Sequence, residues 1–355
     1  MKITSFRRII GFFAVLPAMM MASQAKAAEI TLIGYRSSFQ DNYVKTVVEP
    51  FQAAHPDIKV TYYGVQNAAF ALGLLRAQRD APQADVVIYD LSVAKIAHDE
   101  GLLAPVDLAR VPNYAEISDI GKDLGAFAPP ITYDTLSLIY NVAAFPSAPT
   151  SWTAMWERAQ AGKVVIPAQG GGDIQAIALT LIVNRMAGQN DYRRGVRPGV
   201  ERLVQLAPSV QSWEPKPDAY TVVANGTANL GIGWNARSQF YVDQTGGRMQ
   251  TVAPAEGTVA QVNVISAIAK ARNQAAAEIF INYALSAEAQ KRFSEAMFYA
   301  PSNRNTTVDA SVRARIPLLD PAQRDKLVPV DWITVGALRD TILGPWRRQI
   351  IPASR

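Results

Sequence analysis

The sequence has no cysteine and only two histidines in 355 residues. Without cysteine there can be no disulfide, thiolate nucleophile, cysteine-bound metal or lipid-modified N-terminal cysteine. His55 and His98 are far apart, and each sits where a helix is expected to end. Gly-x-Ser-x-Gly and His-Glu-x-x-His are also missing, which removes the elbow hydrolases and the zinc peptidases. We therefore expect a binding protein rather than an enzyme, with no cofactor and no metal. Charge is sparse as well. Charged residues make up 18% of the chain and hydrophobic ones 49%, enough apolar material for a large core and more than one lobe.

One long apolar run is present, at the start. Lys2, Arg7 and Arg8 precede Ile9–Ala22, and Ala25-Lys26-Ala27 offers small residues around a cleavage point. This pattern predicts a secretory signal peptide over residues 1–27, exported by the general route rather than the twin-arginine one. That leader carries Lys2, Arg7, Arg8 and Lys26 and no acid, so losing these four charges lowers the formal net charge from +5 to +1. The basic balance belongs to the leader, and a nucleic-acid partner is not expected. No other run is apolar enough to cross a bilayer. A free, exported chain suits the periplasm.

Past the leader, strand and helix patterns alternate. Glu29–Gly34, Ile58–Tyr63 and Asp85–Tyr89 read as strands. Between and after them, Asp41–His55, Ala68–Arg79 and Leu91–Glu100 read as helices. This order predicts a mostly parallel sheet covered on both faces. Pro129–Asn141 is β-branched, aromatic and too long for one compact strand, so it reads as a crossover between lobes. A helix is expected from Pro149 to Trp156, a strand over Lys163–Pro167 and a long helix over Ile174–Met186. A second crossover is expected over Met249–Pro254 and Val259–Ile268. Helices follow over Ala275–Leu285 and Ala287–Phe298, the latter capped by Ser286, then around Pro321–Lys326 and Thr334–Arg348. In Asn225–Arg237, two glycines in a short apolar strand imply close approach by backbone or ligand. The strand ends in Trp234-Asn235, where open α/β sheets place ligands.

The order of segments resembles the extracellular solute-binding proteins that feed ABC importers, nearest the spermidine/putrescine-binding group and its ferric-iron and opine-type relatives. The resemblance is carried by Gly34-Tyr35-Arg36-Ser37, Ala84–Asp90, Leu138–Asn141 and Gly162–Pro167. It continues through Asn229–Asn235, Pro254–Gly257, Ala276–Gln290, Ala300–Asn303 and Asp331-Trp332. It implies a two-lobed α/β fold of the type II periplasmic-binding-protein kind. The ligand would lie between lobes joined by two crossover strands, which close on it by a hinge. The implied lobes are 28–132 with 254–305, and 133–253, with helices of 306–355 packing across both. A membrane permease is the implied partner of a monomer, and a sensory role is the alternative to transport.

The resemblance also implies a site. Trp234 falls on a binding tryptophan, its other reading being a core residue. Tyr35 and Ser37 lie in the first βα loop. Asp90 ends the third strand and is either a contact or a helix N-cap. Asp173 aligns with an acid that grips an amine, or else serves its own helix terminus. Gly170-Gly171-Gly172 could aim bare N–H groups at an anion or be a plain loop. Gln261 and Asn263 stand where polyamine binders show Trp-x-Asp, so an amide replaces a carboxylate. Asn235 and Arg237 follow the tryptophan, and Arg237 could hold a carboxylate or phosphate or be solvated. These departures favour a polar or zwitterionic solute, with a polyamine as the alternative. Ferric iron is disfavoured, because Tyr241 stands alone in the second lobe and Tyr62-Tyr63 alternate faces of a strand.

Overall fold

A computed structural model describes residues 28–169 and 173–354. The expected signal peptide and the Gly170–Gly172 run lie outside the described residues. The strands are β1 (Ala28–Tyr35), β2 (Ile58–Val65), β3 (Val86–Asp90), β4 (Leu103–Ala104), β5 (Pro130–Asn141), β6 (Val164–Val165), β7 (Val210–Ser212), β8 (Leu230–Trp234), β9 (Met249–Val252), β10 (Ala260–Ile268) and β11 (Ala300–Pro301). They run in the order β2-β1-β3-β10-β5-β8-β6-β7, with β4 on β10 and β9 and β11 on β5. The first three strands pair in parallel, as do β6 with β7 and β8. Strand β3 is buried along its whole length, Val86 to Asp90, as expected of a strand covered on both faces.

Strand β5 joins the two halves. Its first part, through Thr135, pairs antiparallel with β10, and from Leu136 onward it pairs with β8 and β9. All twelve of its residues are buried. The long β-branched stretch is thus one continuous strand shared by two sheets, which makes it the first crossover. Strands β9 and β10 return along it as the second.

At the switch between the two pairings lies Asp134. Its carboxylate accepts from the Thr135 N–H at 2.8 Å and from the Ala236 N–H at 3.0 Å. That second bond pins the start of the helix Asn235–Gln244 to the crossover. Burial pushes the Asp134 carboxyl up to about 7, against the opposing pull of those two N–H groups and of Arg237.

The helices largely follow the apolar periodicity, with instructive departures. The first runs as Ser38–Tyr43, a π-helical stretch Val44–Val48, and Glu49–Ala54. Pro50 has no N–H to donate, and the carbonyl of Thr46 instead accepts from Arg292 Nε at 3.1 Å. Trp152–Trp156 is a 3₁₀ turn, not the α-helix expected. The Trp152 indole is fully buried and donates to the Gly257 carbonyl at 2.8 Å, which anchors a short turn rather than a helical face. The strand expected over Lys163–Pro167 shrinks to two residues. Helices Arg197–Leu206 and Asn235–Gln244 were not foreseen.

The C-terminal helix Trp332–Pro345 begins on Asp331, which accepts from the N–H groups of Ile333 and Thr334. Trp332 donates to the Ala260 carbonyl at 2.7 Å, and Trp346 to Thr180 at 2.8 Å. The end of the chain thus touches strand β10 on one side and helix Asp173–Met186 on the other.

Two predictions follow from this packing. A Cβ on Gly233 would come within 2.4 Å of the Tyr220 ring, whose hydroxyl receives the Trp234 N–H at 3.0 Å. Gly233→Ala should cost about 1–3 kcal/mol in chemical denaturation, and a cost under about 0.5 kcal/mol would show that the ring simply moves. For Asp134 the folded-state carboxyl titrates above the unfolded one. Its contribution to stability is therefore complete below about pH 4 and lost as pH rises through about 7. The unfolding free energy of ligand-free protein should fall across that window, by up to about 1.4 kcal/mol per pH unit from this group, and the melting temperature should fall with it. Asp134→Asn should flatten the fall, and an unchanged slope in that variant would assign it to other groups.

Candidate functional site

The concavity that gathers most of the candidate side chains lies between the two halves of the sheet. It encloses about 750 Å³ of space between atoms. Strand ends and helix starts supply its walls. Tyr35 comes from the end of β1, Asp90 from the end of β3, Trp234 from the end of β8, and Gln261 and Asn263 from β10. Asn67 and Ala68 open the helix Ala68–Ala77, Asp173 and Gln175 open Asp173–Met186, and Arg237 lies in the first turn of Asn235–Gln244. Four helices thus direct their N-termini at one cleft, since Asp90 also caps Leu91–Asp99. Helix N-termini carry unpaired N–H groups and partial positive charge.

The polar side chains in the cleft differ in how far they are committed. Asn263 is 1% exposed, lies opposite Asp90 and Thr132 in the sheet, accepts from the Tyr35 hydroxyl at 3.2 Å and donates to Thr132 at 3.1 Å. It holds Tyr35 in place and has little capacity left over. Gln261 is buried beside it, and its amide makes no hydrogen bond among the described residues. Asp90 accepts from the Ser92 hydroxyl and from the Val93 N–H at 3.2 Å. Burial nevertheless pushes its carboxyl above the usual range, against the pull of Ser92, Arg339 and Val93. Asp90 is therefore both an N-cap and a cleft wall.

The two cations of the cleft are placed in opposite situations. Arg339, on the C-terminal helix, gives Asp173 a hydrogen-bonded ion pair at 2.8 Å. Arg237 is half-buried and has no hydrogen bond or ion pair among the described residues. Burial pulls its guanidinium down, but the surrounding Tyr220, Tyr299, Tyr241 and Asp218 outweigh that and raise it, so it stays charged.

Of the residues singled out from sequence, Tyr35, Asp90, Asp173, Trp234, Arg237, Gln261 and Asn263 line this one cleft. Ser37 lines an adjoining hollow that shares Gln66, Gln175 and Arg237 with the cleft. Asn235 faces away. It is buried, donates to the Arg315 carbonyl at 2.9 Å and accepts from Gln239 at 3.2 Å, so it ties the helix to a later loop. The Gly231 and Gly233 positions are crowded by Val165 and Tyr220 rather than open to the cleft. Sequence reasoning missed Asn67, Tyr299 and Arg339. Tyr299 falls in the gap between the expected helix Ala287–Phe298 and the segment Ala300–Asn303, and nothing in the local pattern around Arg339 marks that residue. His55 and His98 end their helices, stacking on Phe51 and edge-on to Phe127. Among the described residues no three His, Asp or Glu side chains cluster as a metal site, and no helix is long and apolar enough to cross a membrane.

Comparison with known proteins agrees with this two-lobed plan. The chain is 22% identical over 306 residues to the "Spermidine/putrescine-binding periplasmic protein" of Salmonella typhimurium, covering 84% of this chain and 81% of that one. It is 22% identical over 345 residues to the "Gamma-aminobutyric acid-binding protein" of Pseudomonas aeruginosa, covering 92% of each. The fold matches a periplasmic binding protein of A. tumefacien R10, solved with agropinic acid, at a TM-score of 0.75 and 19% identity over 91% of this chain and 99% of that one. Residues 46–315 match the family described as "Bacterial extracellular solute-binding protein". The chain belongs to that family of solute-binding transport proteins, and it carries the family's two-lobed α/β fold.

Proposed function

We propose that the cleft captures a small amino-carboxylate, a zwitterion whose carboxylate is held by Arg237, and that the lobes close on it in the periplasm before a membrane permease receives it. The observation that carries this reading is the Arg237 guanidinium in the cleft wall, which feels Asp134 and Asp218 through space but makes no hydrogen bond or ion pair among the described residues. A half-buried cation whose donors are unmet is costly. A carboxylate entering between Arg237 and the helix N-termini would supply a bidentate, charge-assisted partner. Trp234, Tyr35 and Tyr299 offer faces for a short carbon chain, and the free amide of Gln261 and the carboxyl of Asp90 offer acceptors for the amine. The relative from Pseudomonas aeruginosa, named for γ-aminobutyric acid, supports this ligand class. The relatives named for polyamines support the second reading, a diamine. Neither the relatives nor the cleft favours ferric iron. The working form is taken as a monomer, released from its leader near Ala27 and acting without nucleic acid, cofactor or catalysis.

Thermal shift of refolded, ligand-stripped protein tests this reading, with γ-aminobutyrate, other ω-amino acids, amino-acid conjugates, putrescine and spermidine as probes. A ligand specific for the folded state adds about 2.7 kcal/mol at a hundredfold excess over its Kd. An amino-carboxylate should stabilise the protein, and Arg237→Gln should weaken that binding by roughly tenfold to a hundredfold. Stabilisation by polyamines alone, with Arg237→Gln unaffected, would overturn the carboxylate assignment. Trp234→Ala should remove the ligand shift while leaving ligand-free melting nearly unchanged. Collapse of the ligand-free variant would make Trp234 a core residue instead.

A further inference from the structure

Arg339 reaches the cleft from the far end of the chain. Its helix, Trp332–Pro345, lies close against Leu91–Asp99. A Cβ at Gly336 would stand 2.9 Å from the Ser92 carbonyl oxygen, so glycine permits the approach. Arg339 is three residues further on, on the same helical face. This face turns it toward the start of Leu91–Asp99, where Asp90 sits. Its side chain is 17% exposed, and its guanidinium bonds Asp173 at the start of the opposite helix. Asp90 lies within its field. Asp90 and Asp173 are the only carboxylates lining the cleft among the described residues. A cation of the protein itself therefore pairs with one of them and acts through space on the other.

Resting on the amino-carboxylate reading above, we propose that Arg339 is a specificity-determining residue, a resident counter-cation that occupies the place a second ligand ammonium would need and thereby excludes diamines from the cleft. An entering ammonium could reach Asp173 only by exchanging one charge-assisted bond for another, with no net gain. It would also stand beside the Arg339 guanidinium, with Arg237 in the same cleft, and like charges at close range in a partly dry cleft repel strongly. A ligand with one amine and one carboxylate avoids this conflict, because its carboxylate meets the unpaired Arg237 while Arg339 stays on Asp173. Such a built-in repulsive element penalises a second ammonium more than the single amine of the preferred ligand, which leaves the Arg339–Asp173 pair intact.

Titration calorimetry with putrescine as the probe tests the proposal on wild type, Arg339→Gln, Arg339→Lys and the double variant Arg339→Gln/Asp173→Asn. Arg339→Gln should bind putrescine at least about tenfold more tightly than wild type. Arg339→Lys, which keeps the charge, should still exclude it. Asp173→Asn should cancel the gain, showing that the freed carboxylate is what accepts the amine. Ligand-free melting of each variant checks that it is folded. A folded Arg339→Gln protein that binds putrescine no better than wild type overturns the proposal, as does a gain that survives Asp173→Asn. Should Arg339→Gln fail to fold, Arg339→Met serves as the neutral variant and is read by the same criteria. Loss of amino-carboxylate binding in Arg237→Gln is read separately, so failure of the ligand class and failure of the Arg339 role can be told apart.

Discussion

The hydrogen bond from the Ala236 N–H to Asp134 ties the fold to the site. Strand β5 cannot belong to both sheet halves without passing a point where its pairing changes hands, and the change falls between Thr135 and Leu136. A carboxylate beside that point, with no solvent around it, must find donors within the protein. It finds one in its own strand and one at the first turn of the helix that carries Arg237. The position of the cleft's unpaired cation is thereby set from the hinge strand. Trp234 is set from the same strand, since it pairs with Leu136, and its N–H is also held by Tyr220, whose ring fills the space left by the missing Cβ of Gly233.

The cleft combines parts that fold far apart in sequence by one rule: strands end and helices begin on the same side of the sheet. The helix starts bring positive potential, and the protein offsets it with Asp90 and Asp173, one at each of two helix N-termini. Arg339 pairs with Asp173, while Arg237 feels Asp134 and Asp218 only through space and forms no ion pair among the described residues. On the proposed reading this balance suits one negative group, and no one contact would have shown it.

Much of the architecture was legible from residue pattern. The Pro-bounded, β-branched stretch through Asn141 was too long for a compact strand, and it is a crossover because both of its halves have partners. The alternation of strand and helix before residue 101 gave the parallel half, since each short apolar run ended in a breaker or a cap. Legibility failed where the third dimension decided. Asn235 sits next to Trp234 in sequence, but the strand-to-helix turn sends the two side chains to opposite sides. Trp152 and Trp156 at helical spacing suggested a helix face, whereas each indole donates to a separate distant carbonyl and a single tight turn suffices. Asp134 was hidden because an acid inside a β-branched run has no local signature. Arg339 was invisible for a stronger reason: its place depends on how closely Gly336 lets one helix lie on another.

That dependence bears on what a cleft of this kind can evolve to recognise. The aromatic faces and the helix starts are parts of the scaffold, and changing them disturbs packing on both sides. A cation supplied by the C-terminal helix is cheaper to change, because its backbone is already fixed by Trp332 on β10 and Trp346 on Thr180. Replacing the side chain at position 339 would alter the charge acting on two carboxylates without moving the walls that the proposed ligand's carbon chain would meet. In a cleft with few fixed charges and a low effective dielectric, one such change shifts the preferred ligand charge more than the loss of any apolar contact would. On the proposed role of Arg339, selectivity would drift between diamines and amino-carboxylates on a constant fold, through a residue that leaves no mark in the strand and helix pattern.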